Sequence, residues 1–179
     1  MKHILVGIDF SKSADRALAY AEEIAIQFAA KISLVHIHKP ADGPLTGIET
    51  EPEPYVEAEK QLANLATNVA QRGITITANS HRGEVIPTLR KIINEGDCDL
   101  VVLGCQGEHF LPNNPWGSTT TSLMDDTRIP ILAVPSYAPV KFPRRFVLAT
   151  DKECPQNLRQ LAPLLTLLDA GRTQLILFH

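Results

Sequence analysis

Residues 98–121, CDLVVLGCQGEHFLPNNPWGSTTT, put three kinds of segment in immediate succession. Residues 100–103 form a short apolar run with the length and branching of a buried strand. The run stops at Gly104, a second glycine follows at Gly107, and Gly117 and Ser118 open a stretch, 119–126, that reads as one short helix. Strand, glycine-punctuated loop and helix start form the unit on which many α/β proteins hold phosphate groups. Glycine lets the backbone approach an anion closely, and the unpaired N–H groups of a helix start point at it. The spacing is G-x2-G-x9-G-S. Its place between a strand and a Ser-Thr helix start carries the signal, since glycines alone are common in loops.

The chain before this stretch alternates in the same sense. Residues 3–8 are a β-branched run ending at Asp9, Phe10 and Ser11, and Ser11 or Ser13 can cap the next helix. In that helix Ala14, Ala17, Leu18, Ala21, Ala25 and Phe28 recur at three- and four-residue intervals, giving one apolar stripe. Residues 32–37 read as a second strand, completing a β-α-β unit. The segment 39–54, rich in Pro, Gly and acidic residues, reads as a surface loop. A helix with Ala58, Leu62, Leu65, Ala66 and Val69 on one side follows, ending near Gly73. Residues 74–78 read as a third strand, and a third helix carries Pro87 in its first turn with Val85, Leu89, Ile92 and Ile93 facing a core. Residues 129–134, flanked by prolines, read as a fifth strand at a sheet edge. Such alternation implies a mostly parallel sheet covered by helices on both faces. Ligands of such sheets bind beyond the carboxyl ends of the strands, where strand order reverses.

Charge and cysteine content narrow the classes. With 17 basic and 20 acidic residues the formal net charge is -3, so nothing favours nucleic acid or an anionic membrane on charge alone. No apolar run approaches membrane-spanning length, and the opening MKHILVGIDF lacks the layout of a signal peptide. Cys98, Cys105 and Cys154 share no metal-ligand spacing, and a reducing cytoplasm is the expected setting. There is no G-x-x-x-x-G-K-[ST], no H-E-x-x-H, no C-x-x-C and no nucleophile elbow. Efficient catalysis is therefore not expected, with Asp9 the one candidate base.

With G-x2-G-x9-G-S after the fourth strand and Asp9 ending the first, the chain resembles the universal stress protein family across residues 1–137. The resemblance implies an open, Rossmann-like five-stranded parallel sheet of order 3-2-1-4-5, of the adenine nucleotide alpha hydrolase-like kind. Its crevice then lies between strands one and four, where Asp9 and Gly104 meet. It further implies an adenine nucleotide, ATP in the first instance; Mg2+ is the cation expected where one accompanies it. The implied nucleotide contacts are Gly7, Ile8 and Asp9 beside the nucleoside and Ile37 reading the adenine edge through its backbone. Leu103, Gly104, Cys105, Gln106, Gly107, Gly117, Ser118, Thr119 and Thr120 match the phosphate and ribose segments. Each position also has an ordinary reading: Asp9 as a turn residue, Ile37 as a core residue, Cys105 as a small filler, Ser118 and Thr120 as helix-start residues.

The chain departs from the family's habit in two ways. Gln106 stands where the family commonly has His, and neither Lys nor Arg occurs from Gly104 through Thr127. Lys12, Lys39 and Arg82, each expected just after a strand end, or a divalent cation, are then the charges available to a triphosphate. The alternative of a dimerising interaction module without nucleotide draws on the same departure. A slow ATP hydrolase is the third reading.

After a linker, 138–144, the chain begins again. RFVLATD, 145–151, echoes HILVGID, 3–9, and AGRTQLILFH, 170–179, echoes AAKISLVHIH, 29–38. Leu158, Leu161, Ala162, Leu165 and Leu168 between them form a helical stripe that Pro163 is expected to kink. Residues 145–179 thus read as the opening β-α-β of a second copy, resembling tandem universal stress proteins. The expected assembly is a homodimer, with exchange of the C-terminal segment as one route to it.

Overall fold

A computed structural model describes residues 1–39, 53–105, 118–124, 127–149, 161–169 and 173–178. Five parallel strands form one sheet: β1 (His3–Gly7), β2 (Lys31–His38), β3 (Ile76–Arg82), β4 (Leu100–Cys105) and β5 (Ile131–Pro135). Their order is β3-β2-β1-β4-β5, so β1 and β4 are neighbours and β5 lies at an edge. The helices between them are α1 (Lys12–Phe28), α2 (Glu53–Gln71), α3 (Val85–Glu95) and α4 (Ser118–Met124).

Period-two alternation sorts each central strand between two cores. Ile4, Val6, Ile32, Leu34, Leu100 and Val102 face α1 and α2, joined by Ala17, Leu18, Ala21, Leu62 and Val69. Leu5, Val35, Val101 and Leu103 face the other way, with Leu89 and Ile93 of α3 and Leu123 of α4. The central strands are apolar on both sides because both faces are covered.

Helix α1 starts where its serines predict. Ser11 is the N-cap, and its Oγ accepts from the Ala14 N–H at 3.2 Å. Four of its eight buried residues are alanine, which lets the helix lie close to β4. Glu22, buried amid that stripe, pairs with Arg72 at the end of α2. Gly73, at φ +80°, closes α2 in the left-handed conformation that favours glycine.

Several boundaries differ from expectation. β3 begins at Ile76 rather than 74 and continues through Arg82, beyond the apolar run. Backbone pairing with the eight-residue β2 carries it on, from Ile32↔Ile76 to His38↔Arg82. β5 starts two residues late, at Ile131, and α4 opens one residue early, at Ser118. Among the described residues Pro163 falls in the first turn of α5 (Ala162–Asp169), where a missing N–H leaves no bond unmade, and Leu158 lies outside them.

Two further strands, β6 (Arg145–Ala149) and β7 (Gln174–Phe178), pair in parallel as a separate two-stranded sheet. All five residues of β7 are exposed. Phe142 and Leu167 pack against the α1–α2 side core, Phe142 at 6.3 Å from the Phe28 ring.

Candidate functional site

The carboxyl ends of β1 and β4 lie side by side. Their register runs Ile4↔Leu100, Leu5↔Val101, Val6↔Val102, so Gly7 to Asp9 and Leu103 to Cys105 emerge on the same rim. β2 flanks β1 on one side and β4 on the other, which makes this the point where strand order reverses.

Asp9 is exposed at that rim and is tied into the turn. Its Oδ1 accepts from the Ser11 N–H at 3.0 Å and from the Ser11 hydroxyl at 2.5 Å. The turn reading of Asp9 is thus realised for that oxygen. The next residue, Phe10, sits at φ 59°, a left-handed conformation uncommon for a residue with a side chain. Ile8 is a buried core residue whose N–H donates to the Val35 carbonyl at 2.9 Å. Ile37, half-buried on β2, packs against the α3–α4 side core.

The glycines have separate reasons. A Cβ at Gly104 would lie 2.5–2.7 Å from backbone atoms of Ser13 and Ala14, so the first turn of α1 rests directly on this position. At Gly7 a Cβ would meet Leu103 Cδ2 at 2.7 Å. Leu103 and Cys105 are buried, and burial pushes the Cys105 thiol up, away from reactivity. Thr120 is buried and Thr119 half-buried on α4, which opens at Ser118. Gln106, Gly107 and Gly117 lie outside the described residues.

Lys12 and Lys39 are exposed near the rim. Arg82 is not at the β1/β4 ends: it stands on β3, two strands from β1, with its guanidinium 4.7 Å above the Tyr55 ring. It belongs to a column of rings that spacing in the sequence does not reveal. The Phe10 ring lies tilted 4.7 Å from His36, His36 meets His38 edge-on at 4.3 Å, and His38 lies 4.9 Å from Tyr55. Four elements supply these groups, so no motif spans them. The available signal was the alternation of His36 and His38, which puts both on one face at the end of β2. His36 Nδ1 also donates to the Ile8 carbonyl at 2.6 Å. Burial, then the neighbouring His36 and Arg82, lowers the His38 pKa, with Glu59 opposing.

Among the described residues no group of three or more His, Cys, Asp or Glu could hold a metal, and no helix is long and apolar enough to cross a membrane.

An open parallel sheet with its strand order reversing between an acidic turn and a glycine-bearing strand end defines an α/β protein of the doubly wound class. The model of the universal stress protein family matches residues 1–135, and the chain belongs to that family. It is similar to universal stress protein YxiE of Bacillus subtilis, 27% identical over 143 residues, covering 73% of this chain and 97% of that protein. It is also similar to Rv2624c of Mycobacterium tuberculosis, 28% identical over 142 residues, where the match spans 76% of this chain and 49% of the relative. Among solved structures, a universal stress protein in complex with cAMP shares the fold at a TM-score of 0.59 and 20% identity, covering 75% of this chain and 97% of that one. The Archaeoglobus fulgidus protein in complex with dAMP does so at 0.56 and 20%, covering 75% and 98%.

Proposed function

We infer that this chain binds an adenine nucleotide, ATP by preference, across the ends of β1 and β4 and serves as a regulatory stress-response factor in the cytoplasm. The observation that carries the reading is the adjacency of Asp9 and the Gly104–Cys105 strand end on one rim. The cAMP and dAMP bound by fold relatives support the ligand class. In this reading Asp9 lies beside the nucleoside, with Ser11 using only Oδ1. The Ile37 backbone reads the adenine edge. The segment 103–107, Gly117, and Ser118 to Thr120 at the start of α4 are assigned to the phosphates through N–H groups and hydroxyls. Because 104–127 contains no Lys or Arg, Mg2+ and the exposed Lys12 and Lys39 are assigned the remaining phosphate charge.

Residues 145–179 are read as the opening of a second copy, and the chain as a homodimer. Its supports are the β5 edge and the exposed Val147, Leu177 and Phe178 of the two-stranded sheet. Sedimentation velocity should give a dimer mass at micromolar concentration; a monomer throughout would remove this part.

The test of the ligand is ATP titration with Mg2+ by calorimetry, beside mass spectrometry of small molecules released on denaturation. Saturable binding weakened about tenfold or more by Asp9→Ala is the expected result. A second reading, the interaction module without nucleotide, is favoured by the absence of Lys and Arg from 104–127. It predicts no binding at millimolar ATP.

A further inference from the structure

The β1–β2 ladder ends early, and a side chain takes up the carbonyl that the next rung would use. In a parallel pair alternate residues of one strand turn their N–H and C=O toward the neighbour. On β2 these are the odd-numbered residues: the Lys31 N–H donates to the Lys2 carbonyl at 2.9 Å, and the Val35 carbonyl accepts from Ile8 at 2.9 Å. The next rung would join the Ile37 N–H to the Ile8 carbonyl. Pairing instead stops at Gly7↔Val35. The Ile8 carbonyl accepts from His36 Nδ1 at 2.6 Å. A carbonyl oxygen can only accept, so Nδ1 carries the hydrogen and the imidazole is held in that tautomer. The Phe10 ring, 4.7 Å away, backs the imidazole, and the left-handed φ of Phe10 turns the chain out of strand geometry at the same place.

We propose that His36 is a positioning residue for the adenine ring: by occupying the Ile8 carbonyl it keeps the Ile37 N–H, which faces the vacated end of β1, for the ligand. This rests on the nucleotide reading above and deepens it. The base edge that fits such a site pairs one acceptor with the Ile37 N–H, and the ring supplying the competing donor never touches the nucleotide.

The test uses the full chain with His36→Leu and His36→Asn. Asparagine places an amide N–H close to where Nδ1–H stands, whereas leucine keeps bulk and loses the donor. His36→Leu should bind ATP about tenfold more weakly, the scale of one displaced hydrogen bond. In that variant without nucleotide, the Ile37 amide should exchange with solvent more slowly, having closed onto Ile8. His36→Asn should remain within about threefold of the parent in affinity and match its Ile37 exchange. Equal affinity in parent and leucine variant, or equal losses in both variants, overturns the proposal and leaves nucleotide binding standing. A parent chain that binds no ATP overturns both. Should the leucine variant not fold, nitrogen NMR of the unmodified chain decides: an Nδ1–H tautomer at His36 is expected, and an Nε2–H tautomer overturns the role.

Discussion

Gly104 meets two demands at one position. As the last but one residue of β4 it lies at the rim of the candidate site, and as the floor under α1 it touches the Ser13 and Ala14 backbone. The second demand is the stricter, because backbone atoms cannot rotate away from an added methyl as a side-chain end can. Gly104→Ala should destabilise the fold by about 1–3 kcal/mol, seen as a lower urea midpoint in nucleotide-free protein. An unchanged midpoint would mean that α1 rides higher over β4 than described. His38 supplies a second test at this scale. Its folded-state pKa lies below the ordinary value of 6.5, through burial first and then the neighbouring His36 and Arg82. The native state therefore binds fewer protons than the unfolded chain once pH falls through 6.5. The stability tied to neutral His38 is complete above that value. It is lost progressively on acidification until the lower folded pKa is passed. Urea midpoints between pH 5 and 8 should fall less steeply in His38→Gln than in the parent; parallel curves would contradict this.

At the scale of elements, α1 ends on Ala29 at φ 51° and ψ 41°, with its N–H donating to the Ala25 carbonyl. That is a glycine geometry filled by alanine, and the Cβ strains it. Ala29→Gly should raise stability by about 0.5–1 kcal/mol, part of the relieved strain being offset by the greater freedom of glycine in the unfolded chain. Thermal denaturation checks this, and a lower midpoint would contradict it. The elements also mark where reading the sequence succeeds and fails. The stripe of α1, the Ser11 cap and the Gly73 stop are local signals, and all three appear in place. The span of β3 is not local. Asn79, Ser80, His81 and Arg82 are strand residues because β2 offers them backbone partners, which apolar alternation cannot announce. The role of Gly104 was hidden for the same reason: its neighbour, α1, is some ninety residues away in sequence.

For the whole molecule, the alternation of strands and helices, read with the family resemblance, anticipates the sheet order, β1 beside β4 and β5 at the edge. Of the candidate site the sequence conveys the shared rim of Asp9, Gly104 and Cys105, while the ring column through His36, His38, Tyr55 and Arg82 emerges only from the fold. That column stands on the α1–α2 side, whereas Leu103 and Ile37 face the α3–α4 side. The two sides make separable claims about where a nucleotide sits. Amide NMR of the chain titrated with ATP and Mg2+ tells them apart. Saturable shifts should gather at Gly7 to Phe10, Ile37, Gly104, Cys105, Thr119 and Thr120. Shifts confined to His38, Tyr55 and Arg82, or none at millimolar ATP, would contradict a nucleotide held between β1 and β4.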